Sequence, residues 1–185
     1  MKKVGSLAAS AFLLSLLVPT GSAAADTTPS PPPPSNKPVE PEKKGNDALR
    51  LWWGPQRGDN FTSGSTAGNS DAKAAGYRYV RTEGFGHKNR VRGTVPLYLY
   101  WSSERGDNFT TATREGIRSA HEAGYKFVRT ESYIYPRRVR GTVPLYLYWS
   151  QARQDNFTTA TRKGIRSAHE AGYKFVRIEG YVYPA

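Results

Sequence analysis

The residues best suited to chemistry form one set that occurs three times: Trp53, Arg57, Asp59 and Asn60, then Trp101, Arg105, Asp107 and Asn108, then Trp149, Arg153, Asp155 and Asn156. An indole presents a flat apolar face to the C–H side of a sugar ring, while a carboxylate and an amide hydrogen-bond its hydroxyls. The set therefore reads as a shallow carbohydrate site in triplicate. Three weak equivalent sites on one polymer give avidity well above that of any one of them. A structural reading competes: Asp starts a turn, Asn tolerates the turn geometry and Trp packs in the core.

A second group is basic. Arg90 and Arg92 lie in Lys88-Asn89-Arg90-Val91-Arg92, and Arg137, Arg138 and Arg140 occupy the matching segment one copy later. With a formal net charge of +12, such segments suit contact with phosphate-rich or otherwise anionic polymers, or are simply solvated loops. Nothing in them matches a nucleic-acid reading module, so a specific nucleic acid is not an expected partner.

Catalytic chemistry finds little support. There is no cysteine nucleophile, and the three histidines are His87, His121 and His169. His121 and His169 precede Glu122 and Glu170 in an expected helix but lack the second ligand spacing of a zinc helix, so no metal or cofactor is expected. Glu131 and Glu179 are equivalent positions of a threefold repeat, which places them too far apart for a glycosidase pair. The expected protein is not an enzyme. Asn60-Phe61-Thr62 and its two equivalents satisfy a glycosylation sequon, but they are one coincidence copied twice.

The elements that position these groups recur at an interval of 48 residues without a gap, as in Tyr77, Tyr125 and Tyr173 or Glu83, Glu131 and Glu179. The copies span 47–94, 95–142 and 143–185; the last two are nearly identical and the first has drifted further. In the second copy, Pro96 to Trp101 fits a strand with Leu97 and Leu99 on one face and Tyr98 and Tyr100 on the other. Arg105-Gly106-Asp107 is a turn into a strand at Asn108 to Thr111. Thr113 caps a helix to about Ala123, with Ile117 and Ala120 inward and Gly124 as its stop. Tyr125 to Arg129 and Tyr133 to Tyr135 read as two further strands hinged around Glu131-Ser132.

Such units bury their apolar faces only against one another. Three copies with four strands each favour a mostly β fold with short helices, closed into a β-trefoil-like pseudo-threefold domain, over a propeller or an open solenoid. The pattern Val95-Pro96-Leu97-Tyr98, Gly106 to Thr110, Ala123-Gly124-Tyr125 and Glu179-Gly180-Tyr181 resembles a secreted bacterial family of tandem triplet repeats whose function is unknown. The resemblance spans 47–185 and implies a compact triplet, often attached to exported hydrolases or wall-associated proteins. Many of its members carry His where this chain has Asn60, Asn108 and Asn156, so no role resting on that histidine is carried over.

Lys2 and Lys3 followed by the apolar run Val4 to Val18 have the layout of a secretory signal peptide over 1–25, with Ala23-Ala24-Ala25 before the cut. The run is shorter than the roughly 20 residues a spanning helix needs. Residues 26–46 hold Pro29, Pro31 to Pro34, Pro38 and Pro41 and read as a disordered linker. The reading is a monomeric, exported or wall-associated binding module whose partner is a carbohydrate or cell-wall polymer. The alternative partner is an extracellular protein, such as a protease that the domain inhibits.

Overall fold

The computed structural model describes residues 46–185; the signal peptide expected over 1–25 and all of the linker expected over 26–46 except Asn46 lie outside the described residues. The first copy forms β1 (Asp47–Gly54), β2 (Asp59–Ser63), α1 (Thr66–Ala74) and β3 (Arg78–Gly86). The second forms β4 (Val95–Ser102), β5 (Asp107–Thr111), α2 (Arg114–Glu122) and β6 (Lys126–Ile134). The third forms β7 (Val143–Ser150), β8 (Asp155–Thr159), α3 (Arg162–Glu170) and β9 (Lys174–Val182). The domain is thus mostly β with three short helices. Each copy contributes one antiparallel three-stranded sheet with its first strand central, in the orders β2-β1-β3, β5-β4-β6 and β8-β7-β9. No helix among the described residues is long and apolar enough to cross a membrane.

The helices form where local chemistry starts and stops them. Thr113 holds an extended backbone and its hydroxyl accepts from the Gly116 N–H, satisfying a donor that the first turn of α2 leaves free. Gly124, at φ +79°, ends the helix in the left-handed conformation that residues with a side chain adopt only at a cost.

The strands differ from expectation in one respect. The four expected in each copy are three, because the two proposed on either side of Glu131-Ser132 are the single strand β6. Its pairing with β4 slips twice: Leu97 faces Ser132 while Tyr98 faces Thr130, and Leu99 faces Arg129 while Tyr100 faces Phe127. Glu131 and Val128 are therefore the extra residues of two bulges, and a bulge redirects the side chain it leaves unpaired. The same slips free Glu83 and Val80 in β3 and Glu179 and Val176 in β9. They also break the strict alternation along β4, so Leu99 and Tyr100 are both buried.

Bulge and turn residues then tie the copies together. The Glu131 carboxylate accepts from the Ser63 hydroxyl at 2.8 Å, the Ser65 hydroxyl at 2.7 Å and the backbone N–H groups of Gly64 and Ser65, while Arg129 pairs with its other oxygen at 3.0 Å. Glu179 binds the corresponding groups at Thr111 to Thr113, and Glu83 those at Thr159 to Thr161. Hydroxyls of Thr62, Thr110 and Thr158 donate in turn to the carbonyls of Thr158, Thr62 and Thr110. Each copy is bonded to both others.

The apolar centre is shared in the same way. Leu49, Leu97 and Leu145 meet Ile134 and Val182 in one cluster. Beside it the rings of His87, Tyr135 and Tyr183, equivalent residues of the three copies, meet edge to face with centroids 5.5, 6.1 and 6.2 Å apart.

Candidate functional site

The three Trp-Arg-Asp-Asn sets fall at the ends of the central strands, around the turns that lead into β2, β5 and β8. There the structure regroups them. Arg57 of the first copy lies over the ring of Trp101 of the second, with its guanidinium carbon 5.1 Å from the ring centroid. Arg105 likewise lies 5.7 Å from the centroid of Trp149. Three equivalent pockets result, each straddling two copies. One contains Trp101 and Asn108 with Arg57 and Tyr77; the next contains Trp149 and Asn156 with Arg105 and Tyr125; the third contains Trp53 and Asn60 with Arg153 and Tyr173. Their volumes are about 210, 230 and 360 Å³. A Trp is thus served by the Arg of a neighbouring copy and not by the Arg four residues later in its own.

Two bulge positions complete each pocket. Val128 and Arg129, with their equivalents Val176 and Arg177 or Val80 and Arg81, face the same space. The pocket at Trp101 has one private feature, Asp71, which ion-pairs with Arg129 where the other two pockets have Ser119 and Ser167. The Trp residues are half-buried, and a guanidinium lies over the rings of Trp101 and Trp149. These pocket walls escaped sequence reasoning because Val128 and Arg129 look like ordinary strand residues until the bulge is known.

Asp59, Asp107 and Asp155, read from the sequence as ligand-binding or as structural turn residues, are all buried and spend their oxygens on the protein. Asp107 accepts from the Asn156 backbone N–H at 2.9 Å, from Asn156 Nδ2 at 2.7 Å and from the Tyr125 hydroxyl at 2.5 Å. Asp59 binds Asn108 and Tyr77, and Asp155 binds Asn60 and Tyr173, in the same pattern. The asparagines therefore point Nδ2 inward, at the carboxyl groups.

The three carboxyl groups converge: one oxygen from each lies within 4.8 Å of the other two. Like charges at that separation in a buried place favour protonation. Asp107 is raised to about 7, first by burial and then by the charge of Asp59; Asp155 is raised to about 10 by burial and by both neighbours. The hydroxyls of Tyr77, Tyr125 and Tyr173 are pushed up as well, by burial and then by the carboxylate each one meets. The cluster is thus a set of acids sharing protons beneath the pockets. It is also the one group of at least three acidic, histidine or cysteine residues, among those described, with oxygens close enough for a common cation.

Arg90, Arg92, Arg137, Arg138 and Arg140 are all exposed. Their loops precede β4 and β7, so they join the starts of strands whose far ends carry Trp101 and Trp149. The basic segments and the Trp pockets occupy opposite ends of the sheets. Glu131 and Glu179, set aside as a catalytic pair, are filled by the inter-copy bonds already described.

No curated protein and no solved structure matches the chain. Residues 48–183, which take in all three copies and every pocket residue, match DUF5648, a domain of unknown function. The chain belongs to the DUF5648 family.

Proposed function

We propose that this domain is an exported, non-catalytic, lectin-like binding module that recognises a carbohydrate or cell-wall polymer through the three pockets centred on Trp53, Trp101 and Trp149. The observation that carries the reading is the repetition itself: a half-buried Trp, an Arg of a neighbouring copy and an asparagine line a pocket at three equivalent places. Folding alone calls for the buried Asp, Asn and Tyr, whereas a half-exposed Trp under an Arg adds little to a core and much to a sugar-sized surface. Avidity across three sites compensates for their shallowness. Export rests on residues 1–25 and on the resemblance to secreted tandem triplets. The trefoil-like closure is part of the same proposal, supported by the cyclic threonine, Glu and Asp bonds.

A glycan and cell-wall polymer array with the mature protein, at physiological and at high salt, tests it. A salt-resistant hit on a defined sugar that Trp101→Ala weakens supports the reading. Binding that is lost at high salt and survives Trp101→Ala instead favours the exposed Arg90, Arg92, Arg137, Arg138 and Arg140 as an anionic-polymer surface. No polymer hit at either salt turns the search to an extracellular protein partner.

A further inference from the structure

Every residue that lines one cavity of the first copy has drifted from the other two copies. This space, of about 460 Å³, is lined by Arg50, Trp52, Thr66, Asn69, Lys73 and Tyr79, together with Ser70. At the six named first, the second and third copies both carry Tyr, Tyr, Arg, Ile, His and Phe, agreeing with each other throughout and with the first copy nowhere. The Trp pockets behave in the opposite way and keep their Trp, Arg, Asn and Tyr in every copy.

In the later copies the equivalent place is lined by rings. Tyr98 and Tyr100 meet Phe127 at 5.5 and 5.8 Å, and His121 meets Tyr100 at 5.5 Å; the third copy packs Tyr146, Tyr148, Phe175 and His169 alike. The first copy keeps a floor and a wall, Trp52 against Tyr79 at 5.8 Å, but has Arg50 and Lys73 in place of the Tyr and the His. Asn69 is fixed as a strut, accepting from Trp52 Nε1 at 3.1 Å and donating to the Ser65 carbonyl at 2.8 Å. No carboxylate among the described residues lies within ion-pair distance of Arg50 or Lys73; Asp47 acts on Arg50 only through its longer-range field. Two cations thus border a half-exposed phenol ring and the Thr66 hydroxyl.

We propose that this cavity is a fourth ligand site, present in the first copy alone, that takes an acidic sugar residue. The apolar face of the pyranose packs on Tyr79, and its carboxylate or phosphate is held by Arg50 and Lys73. The site shares no residue with the three Trp pockets, so it stands or falls separately from them.

The Trp52 indole N–H reports on it directly, by two-dimensional NMR of the full chain titrated with glucuronate, glucose 6-phosphate and glucose. The expected result is a saturable shift of that signal with either acidic sugar, weakened about tenfold or more for glucose. Whichever acid binds more tightly identifies carboxylate or phosphate as the preferred group. The double variant Arg50→Tyr, Lys73→His installs residues that the other copies already carry in this fold, and it should abolish the shift, while Trp101→Ala should leave it intact. Equal binding of glucose, an unaltered response in the double variant, or no movement of the Trp52 signal with either acid would overturn the proposal.

Discussion

Asp155 of the third copy accepts two hydrogen bonds from Asn60 of the first, from the backbone N–H at 2.9 Å and from Nδ2 at 2.8 Å. The two residues lie 95 positions apart, so this pair joins the last copy to the first. Its carboxyl is raised above the usual range by burial and by Asp107 and Asp59, which favours its neutral form. Asp155→Asn keeps an acceptor for the Asn60 N–H but sets an NH2 against Asn60 Nδ2, and should cost about 1–3 kcal/mol. Asp155→Ala strands the Asn60 and Tyr173 donors and should cost about 2–4 kcal/mol. Urea unfolding of both variants measures the two losses, and a loss below about 0.5 kcal/mol for Asp155→Ala would overturn the role given to these bonds.

The same cluster sets a pH dependence. An aspartate titrates near 3.9 in an unfolded chain, whereas Asp107 and Asp155 do so at about 7 and about 10 in the fold. Between those values the folded state holds more protons than the unfolded one, so stability falls as pH rises. The contribution is complete below about pH 4 and is lost through pH 7 for Asp107 and on towards pH 10 for Asp155, at up to about 1.4 kcal/mol per pH unit for each proton held. Urea midpoints at pH 5 and pH 8 should differ in that direction, and Asp155→Asn should flatten the slope.

The cross-copy pairing of Arg and Trp is open to a ligand-free check. Arg57→Ala should move the indole N–H resonance of Trp101, whose ring it covers at 5.1 Å, and leave that of Trp53 in place. A double-mutant cycle between Arg57 and Trp101 should return a coupling of about 0.5–1 kcal/mol, the range of an exposed cation–π contact. A shift at Trp53 instead of Trp101 would restore the grouping by nearness in sequence.

Glu131 anchors the start of the first helix from a neighbouring copy. Removing its carboxylate leaves the Ser63, Gly64 and Ser65 donors without their acceptor and the partly buried Arg129 with Asp71 alone. Glu131→Ala should therefore cost about 3–5 kcal/mol in urea unfolding, and Glu131→Gln, which keeps one oxygen, about 1–3 kcal/mol.

Much of this architecture was legible in the sequence wherever the signal is local. The Thr113 cap, the Gly124 stop and the Leu97–Leu99 strand each depend on a few adjacent residues, and the interval of 48 dictated three alike units. The grouping of site residues was not legible, for a reason built into repetition. When Arg57 and Arg105 sit in identical surroundings, nothing in the sequence distinguishes a Trp served by its own copy from one served by a neighbour. The bulges at Glu131 and Val128 were hidden because a bulge is a property of register between two strands, and neither strand carries it alone. The sequence left Asp107 between a ligand-facing and a structural reading because only its place beneath Asn156 shows that its oxygens are already filled.

The Asp–Asn bonds are chemically alike at all three seams, yet they are not kinetically alike. Two of them, Asp59 to Asn108 and Asp107 to Asn156, close loops of 49 residues, while Asp155 to Asn60 spans 95. The loop-entropy difference for that near doubling is only about 0.6 kcal/mol, so the equilibrium strengths stay close. The distinction lies in what tethers the parted halves. When either of the first two seams opens, the chain itself keeps the two copies side by side; at the third no peptide does so. Transient opening should therefore begin between Asp155 and Asn60, so that of three look-alike amides that of Asn60 exchanges its hydrogen soonest.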